Sequence, residues 1–285
     1  MPGFNEADLD ENNSHKKMLH LIGNNKEVLD FGCATGYLAH FLSQRGCRVT
    51  GLEINPEAAK TAEQYCEKVI IADLDLVSLA EILPEKRFDV AVFGDVLEHL
   101  RNPWHTLKAT INLLKPDGYV VASIPNVAHG AIRLALLKGK FEYSELGILD
   151  DTHLRFFTRE TVEKLFEDTG YFIDCVERTK LPIFFPSSLI PHVAKDEFDE
   201  NILQIVEQAD ESDTLQFVLK AFLLSLEGKN SALMQRCFSL TEQLAQSKLQ
   251  LQQARLELEE FQTQIQQTHR EWEHSQTQLH HTHAQ

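Results

Sequence analysis

The chain of 285 residues carries 43 acidic against 27 basic side chains, a formal net charge of −16, and 43% of its residues are hydrophobic. This length and composition suit one well-buried domain with an appendage. The acidic balance, with no compensating basic cluster, argues against a nucleic acid as partner. No apolar run reaches the roughly 18 residues of a membrane span, and the polar, acidic residues 1–13 argue against a secretory signal.

The cysteines give a second compositional clue. They are odd in number, and none forms a Cys-x-x-Cys pair: Cys33, Cys47, Cys66, Cys175 and Cys237. Scattered cysteines of this kind predict reduced thiols in a cytoplasmic protein and argue against a zinc cluster.

The first predicted strand, residues 28–31, leads into a glycine turn. The turn reads Gly32-Cys33-Ala34-Thr35-Gly36, and a helix is predicted over residues 37–44. Glycine lets the backbone approach a ligand where a Cβ would collide. The Gly-x-x-x-Gly spacing differs from the Gly-x-Gly-x-x-Gly of dinucleotide sites, which place a pyrophosphate at a helix N-terminus. The turn therefore predicts a nucleotide-type ligand and disfavours a nicotinamide dehydrogenase.

Carboxylates follow the next two predicted strands. Residues 48–52 are followed by Glu53, and residues 69–72 are followed by Asp73. A carboxylate about 20 residues after the first glycine is placed to accept both hydroxyls of a ribose. Asp73 would meet an adenine amine at the same edge of the sheet. Together these positions predict an adenosine ligand without phosphates.

Strands and helices alternate along the rest of the first half. Further strands are predicted over residues 90–93 and 119–124, and helical spacing occurs over residues 56–67 and 103–114. This alternation favours a parallel sheet with helices on both faces. Ligands then bind beyond the carboxyl ends of the strands.

Titratable side chains cluster after the fourth strand. Asp95, Glu98 and His99 lie within five positions, and a helical spacing there would put all three on one face. His153 belongs to a second polar segment, directly before a helix predicted to begin at Arg159 with Thr158 as its cap.

Two further polar residues, Asn126 and His129, follow the fifth predicted strand. Either would be able to orient an acceptor molecule at the rim of a pocket. An asparagine after a proline is equally good turn chemistry, so both interpretations stay open.

The C-terminal segment has a different composition, without proline or glycine after residue 229. An apolar residue recurs every seven positions, at Cys237, Leu244, Leu251, Leu258, Ile265, Trp272 and Leu279. A second heptad column is mixed in character and includes Leu240, Ala254 and Phe261. This repeat predicts a coiled coil that pairs with itself or with another chain. A solvent-exposed single helix is the alternative. The predicted domains are residues 1–226 and 227–285.

Four motifs in this order resemble class I S-adenosylmethionine-dependent methyltransferases, over roughly residues 10–225. They are DFGCATG at 30–36, GLEINP at 51–56, DVLEH at 95–99 and LKPDG at 114–118. The resemblance implies a Rossmann-like α/β fold of seven strands. It adds two strands to the five predicted above, near residues 171–178 and 214–222, the last of them antiparallel. Ala34 departs from the glycine of many relatives.

The resemblance also implies which residues hold the methyl donor. The expected cofactor is S-adenosyl-L-methionine, bound through Asp30, Gly32, Cys33, Gly36, Glu53, Asp73 and Asp95. Ser14 and His15 would close over it.

For the chemistry, Asp95, Glu98, His99 and His153 together are similar to the divalent-metal site of small-RNA 2′-O-methyltransferases. Ubiquinone-pathway O-methyltransferases have a comparable Glu-x-x-Glu-His and Thr-His. Oxygen and imidazole ligands suit magnesium or manganese, although aspartate stands at 95 where glutamate is usual. Three interpretations stay open: metal ligation, metal-free base catalysis by His99 or His153 beside Glu98, and structural hydrogen bonding.

The predicted function is methyl transfer to an oxygen of a small molecule, such as a sugar, a phenol or a lipid precursor. The alternative is a catalytically inactive fold that uses its C-terminal helix as a coiled-coil scaffold. Survival of Gly32, Gly36, Glu53 and the Asp95 to His99 group favours the enzyme.

Overall fold

A computed structural model describes residues 6–84 and 87–282, with side chains up to residue 258 apart from a few positions. These residues form seven strands: β1 (Glu27–Phe31), β2 (Arg48–Glu53), β3 (Lys68–Ile71), β4 (Phe88–Gly94), β5 (Leu114–Pro125), β6 (Tyr171–Lys180) and β7 (Thr214–Leu223). All seven expected strands are therefore present, and their ends differ from the expected ones by at most five residues.

The helices alternate with the strands as the sequence predicts. They are α1 (Ser14–Ile22), α2 (Tyr37–Gln44), α3 (Pro56–Ala62), α4 (Leu79–Ile82), α5 (Pro103–Thr110), α6 (Gly130–Leu137), α7 (Arg159–Asp168), α8 (Glu200–Gln208) and α9 (Leu226–Thr282). Single 3-10 turns cover Glu6–Asp8, Leu97–His99, Ile111–Leu113 and Lys195–Glu197. Two predicted helices are shorter than expected, since α3 ends at Ala62 and α5 passes into a 3-10 turn at Ile111.

The strands form one mixed sheet in the order β3-β2-β1-β4-β5-β7-β6. The first five strands pair in parallel, and β7 lies antiparallel between β5 and β6. This is the predicted Rossmann-like arrangement. The order reverses direction between β1 and β4, so the carboxyl ends of these two neighbours border the crevice where ligands bind in such sheets.

Buried aromatic side chains secure the centre of the sheet. Phe31 on β1 stacks on Phe93 on β4 with ring centroids 4.3 Å apart and planes 6° apart. Both are fully buried, and such a pair contributes about 0.5–1.5 kcal/mol beyond its burial. The contact therefore fixes the strand ends from which the two polar turns emerge.

The start of α7 confirms its predicted cap. The Thr158 side chain accepts from the Thr161 amide, and the Thr161 hydroxyl accepts in return from the Thr158 amide at 2.8 Å. This reciprocal capping places Arg159 at the first helical position. The preceding segment, which carries His153, is thereby tied to the first turn of the helix.

The chain divides into two compact units, Met1–Ser231 and Ala232–Gln285. In the second unit the chain continues helix α9, and among its described side chains Leu240, Leu244, Leu251 and Leu258 are each more than half exposed. The heptad positions Ile265, Trp272 and Leu279 lie outside the described side chains. The coiled coil and the domain boundary at residue 226 stay predictions. None of the described helices combines the length and apolar character that crossing a membrane requires.

Candidate active site

The turn after β1 is held by hydrogen bonds to the end of β2. The amides of Gly32 and Cys33 both donate to the Leu52 carbonyl, at 2.8 and 3.0 Å. The Ala34 amide donates to Glu53 Oε2 at 2.8 Å, and the Asn55 amide donates to Glu53 Oε1 at the same distance. The buried Glu53 carboxylate therefore joins the turn after β1 to the start of α3.

Both glycines of this turn adopt left-handed backbone conformations. Gly32 has φ +68°, and a Cβ there would lie 2.7 Å from Val96 Cγ2. Gly36 has φ +79°, and its Cβ would lie 2.9 Å from the Ala62 Cα. Conformation and packing alone therefore require glycine at both positions, while the space they leave for a ligand stays a prediction. Ala34 also has a positive φ, of +47°, which explains why glycine suits its position in relatives.

Asp30 contributes a second buried carboxyl group beside Glu53. It is 3% exposed, and within the part of the chain that the structure describes no group donates to its Oδ2. Burial, reinforced by the negative charge of Glu53, raises the pKa of Asp30 to about 7. An unpartnered buried oxygen is costly, so this position suits a ligand that brings a cationic donor.

Cys33 and Asp73 complete the predicted cofactor set near this turn. A hydrogen bond with Cys66 and burial both raise the pKa of the Cys33 thiol, which disfavours its reactive thiolate form. Asp73 follows β3, is half-buried, and accepts from the Asp75 amide at 2.9 Å. That bond fixes the turn after β3 and orients the carboxylate of Asp73.

Asp95 is fixed at the carboxyl end of β4. Its Oδ1 accepts from Ser123 Oγ and from Gln216 Nε2, each at 2.8 Å. Gln216 lies on β7 opposite Pro125 of β5, far along the chain from Asp95. The sequence analysis missed Gln216, and only the antiparallel pairing of β7 with β5 would have located it.

The segment from Asp95 to His99 is not an α-helix. Asp95 has φ +54°, a conformation that an α-helix cannot include, and only Leu97–His99 form a 3-10 turn. Asp95, Glu98 and His99 nevertheless line one cavity of about 310 Å³. Its wall also includes Leu189 from the insertion between β6 and β7, so the insertion shapes this cavity.

Glu98 is the most unusual group in the cavity. It is 1% exposed, and neither of its carboxylate oxygens has a hydrogen-bond partner among the described residues. Burial first, and then the negative charge of Asp95, raise the pKa of Glu98 well above its ordinary value. A buried carboxyl without donors is stabilised by a proton, a cation or a ligand donor.

Two histidines stand next to Glu98. The rings of His99 and His153 lie 4.7 Å apart at 72°, and His153 Nδ1 donates to the Ile148 carbonyl at 3.0 Å. One ligand atom from each of Glu98, His99 and His153 lies within 4.8 Å of the others. Burial lowers the pKa of His153, which favours the neutral imidazole that binds metals or accepts protons. Asp95 borders the cavity but is not part of this cluster.

Asn126 and His129 belong to the structural frame. Asn126 is fully buried, and its amide donates to the carbonyls of Glu211 and Thr214 while its oxygen accepts from the Ala128 amide. His129 Nε2 donates to the Leu181 carbonyl, and its Nδ1 accepts from the Ala131 amide at the start of α6. The polar side-chain atoms of both residues form hydrogen bonds within the protein, which favours a structural role over orienting an acceptor molecule.

His15 approaches the site from α1. Its ring meets Tyr37 of α2 edge-on at 5.0 Å. Burial lowers its pKa, while the nearby Asp95 carboxylate acts in the opposite direction. The N-terminal helix α1 therefore borders the turns after β1 and β4.

The sequence matches a family described as a methyltransferase domain over residues 9–176, more than half of the chain. The chain belongs to this methyltransferase family. The methyltransferase match includes the turn after β1, Glu53, Asp73 and the cluster of Glu98, His99 and His153.

Relatives of this chain include ubiquinone biosynthesis O-methyltransferases. The protein from Chromobacterium violaceum is 28% identical over 148 residues, which are 51% of this chain and 64% of that protein. The protein from Pseudomonas entomophila is 33% identical over 120 residues, which are 41% of this chain and 51% of that protein. The aligned part thus spans less than two thirds of these relatives.

A solved structure shows the same fold. A SAM-dependent methyltransferase from Archaeoglobus fulgidus superposes with a TM-score of 0.50 at 18% sequence identity, covering 72% of this chain and 90% of that one.

Proposed function

We propose that this chain transfers a methyl group from S-adenosyl-L-methionine to an oxygen of a small molecule, such as a sugar, a phenol or a lipid precursor. The observation that carries the proposal is the position of Glu98 beside His99 and His153, after the strand that neighbours β1. Within the described part of the chain no group donates to the carboxyl oxygens of Glu98. The names of the ubiquinone-pathway relatives support oxygen as the acceptor atom.

The donor would lie across the turns after β1, β2 and β3. Glu53 would accept the ribose hydroxyls and Asp73 the adenine amine. Asp30 and Asp95 would hold the ammonium of the methionine part, since a cation favours ionised carboxylates and no described residue donates to Asp30 Oδ2. The backbone at Gly32, Cys33 and Gly36 would border the ligand.

Methyl transfer from a sulfonium needs alignment and, for a hydroxyl acceptor, removal of a proton. The oxygen of the acceptor forms a bond to the methyl carbon as the carbon–sulfur bond breaks, which leaves S-adenosylhomocysteine. His99 or His153 would take the hydroxyl proton. The positive charge of the resulting imidazolium would favour the ionised form of Glu98, which would in turn stabilise the imidazolium.

A divalent cation, magnesium or manganese, is the finer proposal for the same cavity. Glu98, His99 and His153 would hold it, with Asp95 beside them. The residues fit such an ion because Glu98 offers two buried oxygens that have no hydrogen-bond partner among the described residues, and because His153 is anchored through its other ring nitrogen. When bound, the ion would lower the pKa of an acceptor hydroxyl.

The C-terminal helix is proposed to pair with a second copy or another chain. Its support is the heptad column, of which Leu244 and Leu251 are each 56% exposed. Sedimentation of the full chain tests this: Leu251→Lys should dissociate an oligomer that Gln253→Lys, off the column, leaves intact. A monomeric parent chain would refute pairing with a second copy and leave another chain as the partner. A cytoplasmic location rests on the five free cysteines.

The activity is tested with a labelled methyl donor and a panel of phenols, sugars and lipid precursors. The parent chain should label a hydroxyl acceptor, and His153→Ala should lose most of this activity while His20→Ala, exposed on α1, keeps it. Label on nitrogen or carbon only would refute the oxygen acceptor. Binding of the donor without transfer to any acceptor would favour the scaffold.

A further inference from the structure

Thr152 lies between an acidic group and His99. Its Oγ1 is 2.5 Å from Asp150 Oδ1 and 3.1 Å from His99 Nδ1. The Thr152 amide donates to the same Asp150 oxygen at 2.8 Å. The three residues therefore form a chain of hydrogen bonds that ends at one nitrogen of the candidate catalytic histidine.

The direction of each hydrogen bond follows from the chemistry of its atoms. Partial burial alone would raise the pKa of Asp150, but the hydroxyl and amide of Thr152 and the nearby His153 together lower it. Asp150 is therefore an ionised acceptor at neutral pH. The single hydroxyl proton of Thr152 must point to Asp150, which leaves Thr152 Oγ1 only as an acceptor for His99 Nδ1.

A second contact gives the same assignment independently. The backbone carbonyl of Thr152 lies 3.3 Å from His99 Nδ1, and a carbonyl oxygen only accepts hydrogen bonds. Two acceptors thus face Nδ1, so this nitrogen carries the proton. In the neutral ring the lone pair is then on Nε2.

The neighbouring histidine is arranged alike. His153 Nδ1 donates to the Ile148 carbonyl, so its Nε2 also has the lone pair. Neither neutral ring then offers the other a proton from Nε2. The Nε2 atoms of both rings are therefore able to accept a proton or to bind a cation next to Glu98, while only their Nδ1 atoms donate hydrogen bonds.

We propose that Thr152 and Asp150 are positioning residues that hold His99 in its Nδ1-protonated form and leave Nε2 to accept the proton of the acceptor hydroxyl. The consequence for catalysis rests on the proposed function. The tautomer itself does not, so it can be measured whether or not an acceptor has been found.

A simpler role for these residues must be separated from this one. The bond from the Thr152 amide to Asp150 is also a common turn, which would hold the loop without any effect on the ring of His99. A merely structural role would leave the tautomer unchanged when the hydroxyl is removed. Thr152 is exposed, so its substitution is compatible with folding.

The test is ring ¹⁵N NMR of the full chain with S-adenosylhomocysteine and a chelator, above the pKa of the imidazoles. The His99 signals are assigned by their loss in His99→Gln. The parent chain and Thr152→Ser should show the Nδ1-protonated form. Thr152→Val removes the closer acceptor, Oγ1 at 3.1 Å, and leaves only the backbone carbonyl at 3.3 Å, so it should shift His99 partly toward a mixture. Asp150→Ala, which frees the hydroxyl proton to turn toward Nδ1, should shift it in the same direction.

Kinetics provide the second readout once an acceptor is in hand. Thr152→Val should lower kcat roughly 10- to 100-fold, the usual effect of removing an orienting partner, while KM changes little and Thr152→Ser restores kcat. An Nε2-protonated His99 in the parent chain, or an unchanged tautomer in both Thr152→Val and Asp150→Ala, would overturn the inference. If methyl transfer is absent but the tautomer is as expected, the proposed function fails and this assignment stands.

Discussion

The Ala34 amide donates to a carboxylate oxygen of Glu53 at 2.8 Å, which connects the turn after β1 to the end of β2. The other oxygen of Glu53 accepts from the Asn55 amide. A carboxylate has about four lone-pair positions, so two remain after these bonds. Glu53 is thus able to fix the turn and still accept two ribose hydroxyls.

Glu53→Gln should weaken the affinity for S-adenosylhomocysteine at least about tenfold and reduce the free energy of unfolding by about 1–3 kcal/mol. The side-chain amide of the glutamine would direct its own N–H group at the backbone N–H of either Ala34 or Asn55. Calorimetric titration and thermal unfolding measure the two effects. The matched control is Glu57→Gln, exposed on α3, which should change stability by no more than about 0.5 kcal/mol. Equal affinities of the two variants would contradict the role of Glu53.

Ala34→Gly should keep or raise stability. A left-handed conformation costs an L-residue about 1–2 kcal/mol, whereas glycine loses about 0.5–1 kcal/mol through its freer unfolded state. The net gain is therefore about 0–1.5 kcal/mol. Ala58→Gly, inside α3 with ordinary helical geometry, should instead lose about 1 kcal/mol. Denaturant unfolding compares them, and a loss of the same size at Ala34 would show that its backbone is unstrained.

Much of this architecture follows from local sequence signals. Apolar runs between polar turns identify the first five strands, and Thr158 identifies the start of α7. The last two strands were expected only from the family resemblance. The conformation of Asp95 was not predictable from spacing, because its positive φ depends on the turn into which β4 runs.

Long-range partners account for the other differences. Gln216 reaches Asp95 only because β7 inserts antiparallel between β5 and β6. Asn126 and His129 donate to carbonyls of the segment between β6 and β7 and of the first residue of β7, which no local pattern reveals. Thr152 acquires its contact with His99 from the folding of the loop before α7.

Asp30→Asn should make the ligand-free chain more stable above pH 7. In the folded chain the pKa of Asp30 is about 7, against an ordinary value of 3.8. As pH rises from about 4 to 7, the unfolded chain loses this proton and the folded chain keeps it, so the free energy of unfolding falls. The difference between the two pKa values corresponds to a loss of about 4 kcal/mol at most in the free energy of unfolding. This loss is complete above about pH 7 and absent below about pH 4.

Thermal unfolding of the parent chain and Asp30→Asn at pH 5 and pH 8 measures this contribution. The variant should gain stability relative to the parent chain mainly at pH 8, and it should bind S-adenosylhomocysteine more weakly at both values. Asp168→Asn, exposed on α7, should show no such pH-dependent gain. An equal difference at both pH values would contradict the buried, protonated state of Asp30.

Manganese should bind to the parent chain and not to His153→Ala or Glu98→Gln. Each substitution removes one of the three proposed ligands, whose candidate ligand atoms lie within 4.8 Å of one another. Water proton relaxation or calorimetry measures binding to full chains that were stripped with a chelator. His20→Ala should bind like the parent chain. Full activity after chelation, together with no manganese binding, would leave metal-free base catalysis by the histidines.

The most direct test of the account is a calorimetric titration of the full chain with S-adenosylhomocysteine and, in parallel, with NAD. We expect one equivalent of S-adenosylhomocysteine to bind and NAD to give no heat, because the turn after β1 lacks the dinucleotide spacing and Glu53 with Asp73 suits an adenosine without a pyrophosphate. Tight NAD binding, or no binding of S-adenosylhomocysteine, would contradict the proposed methyl-donor site.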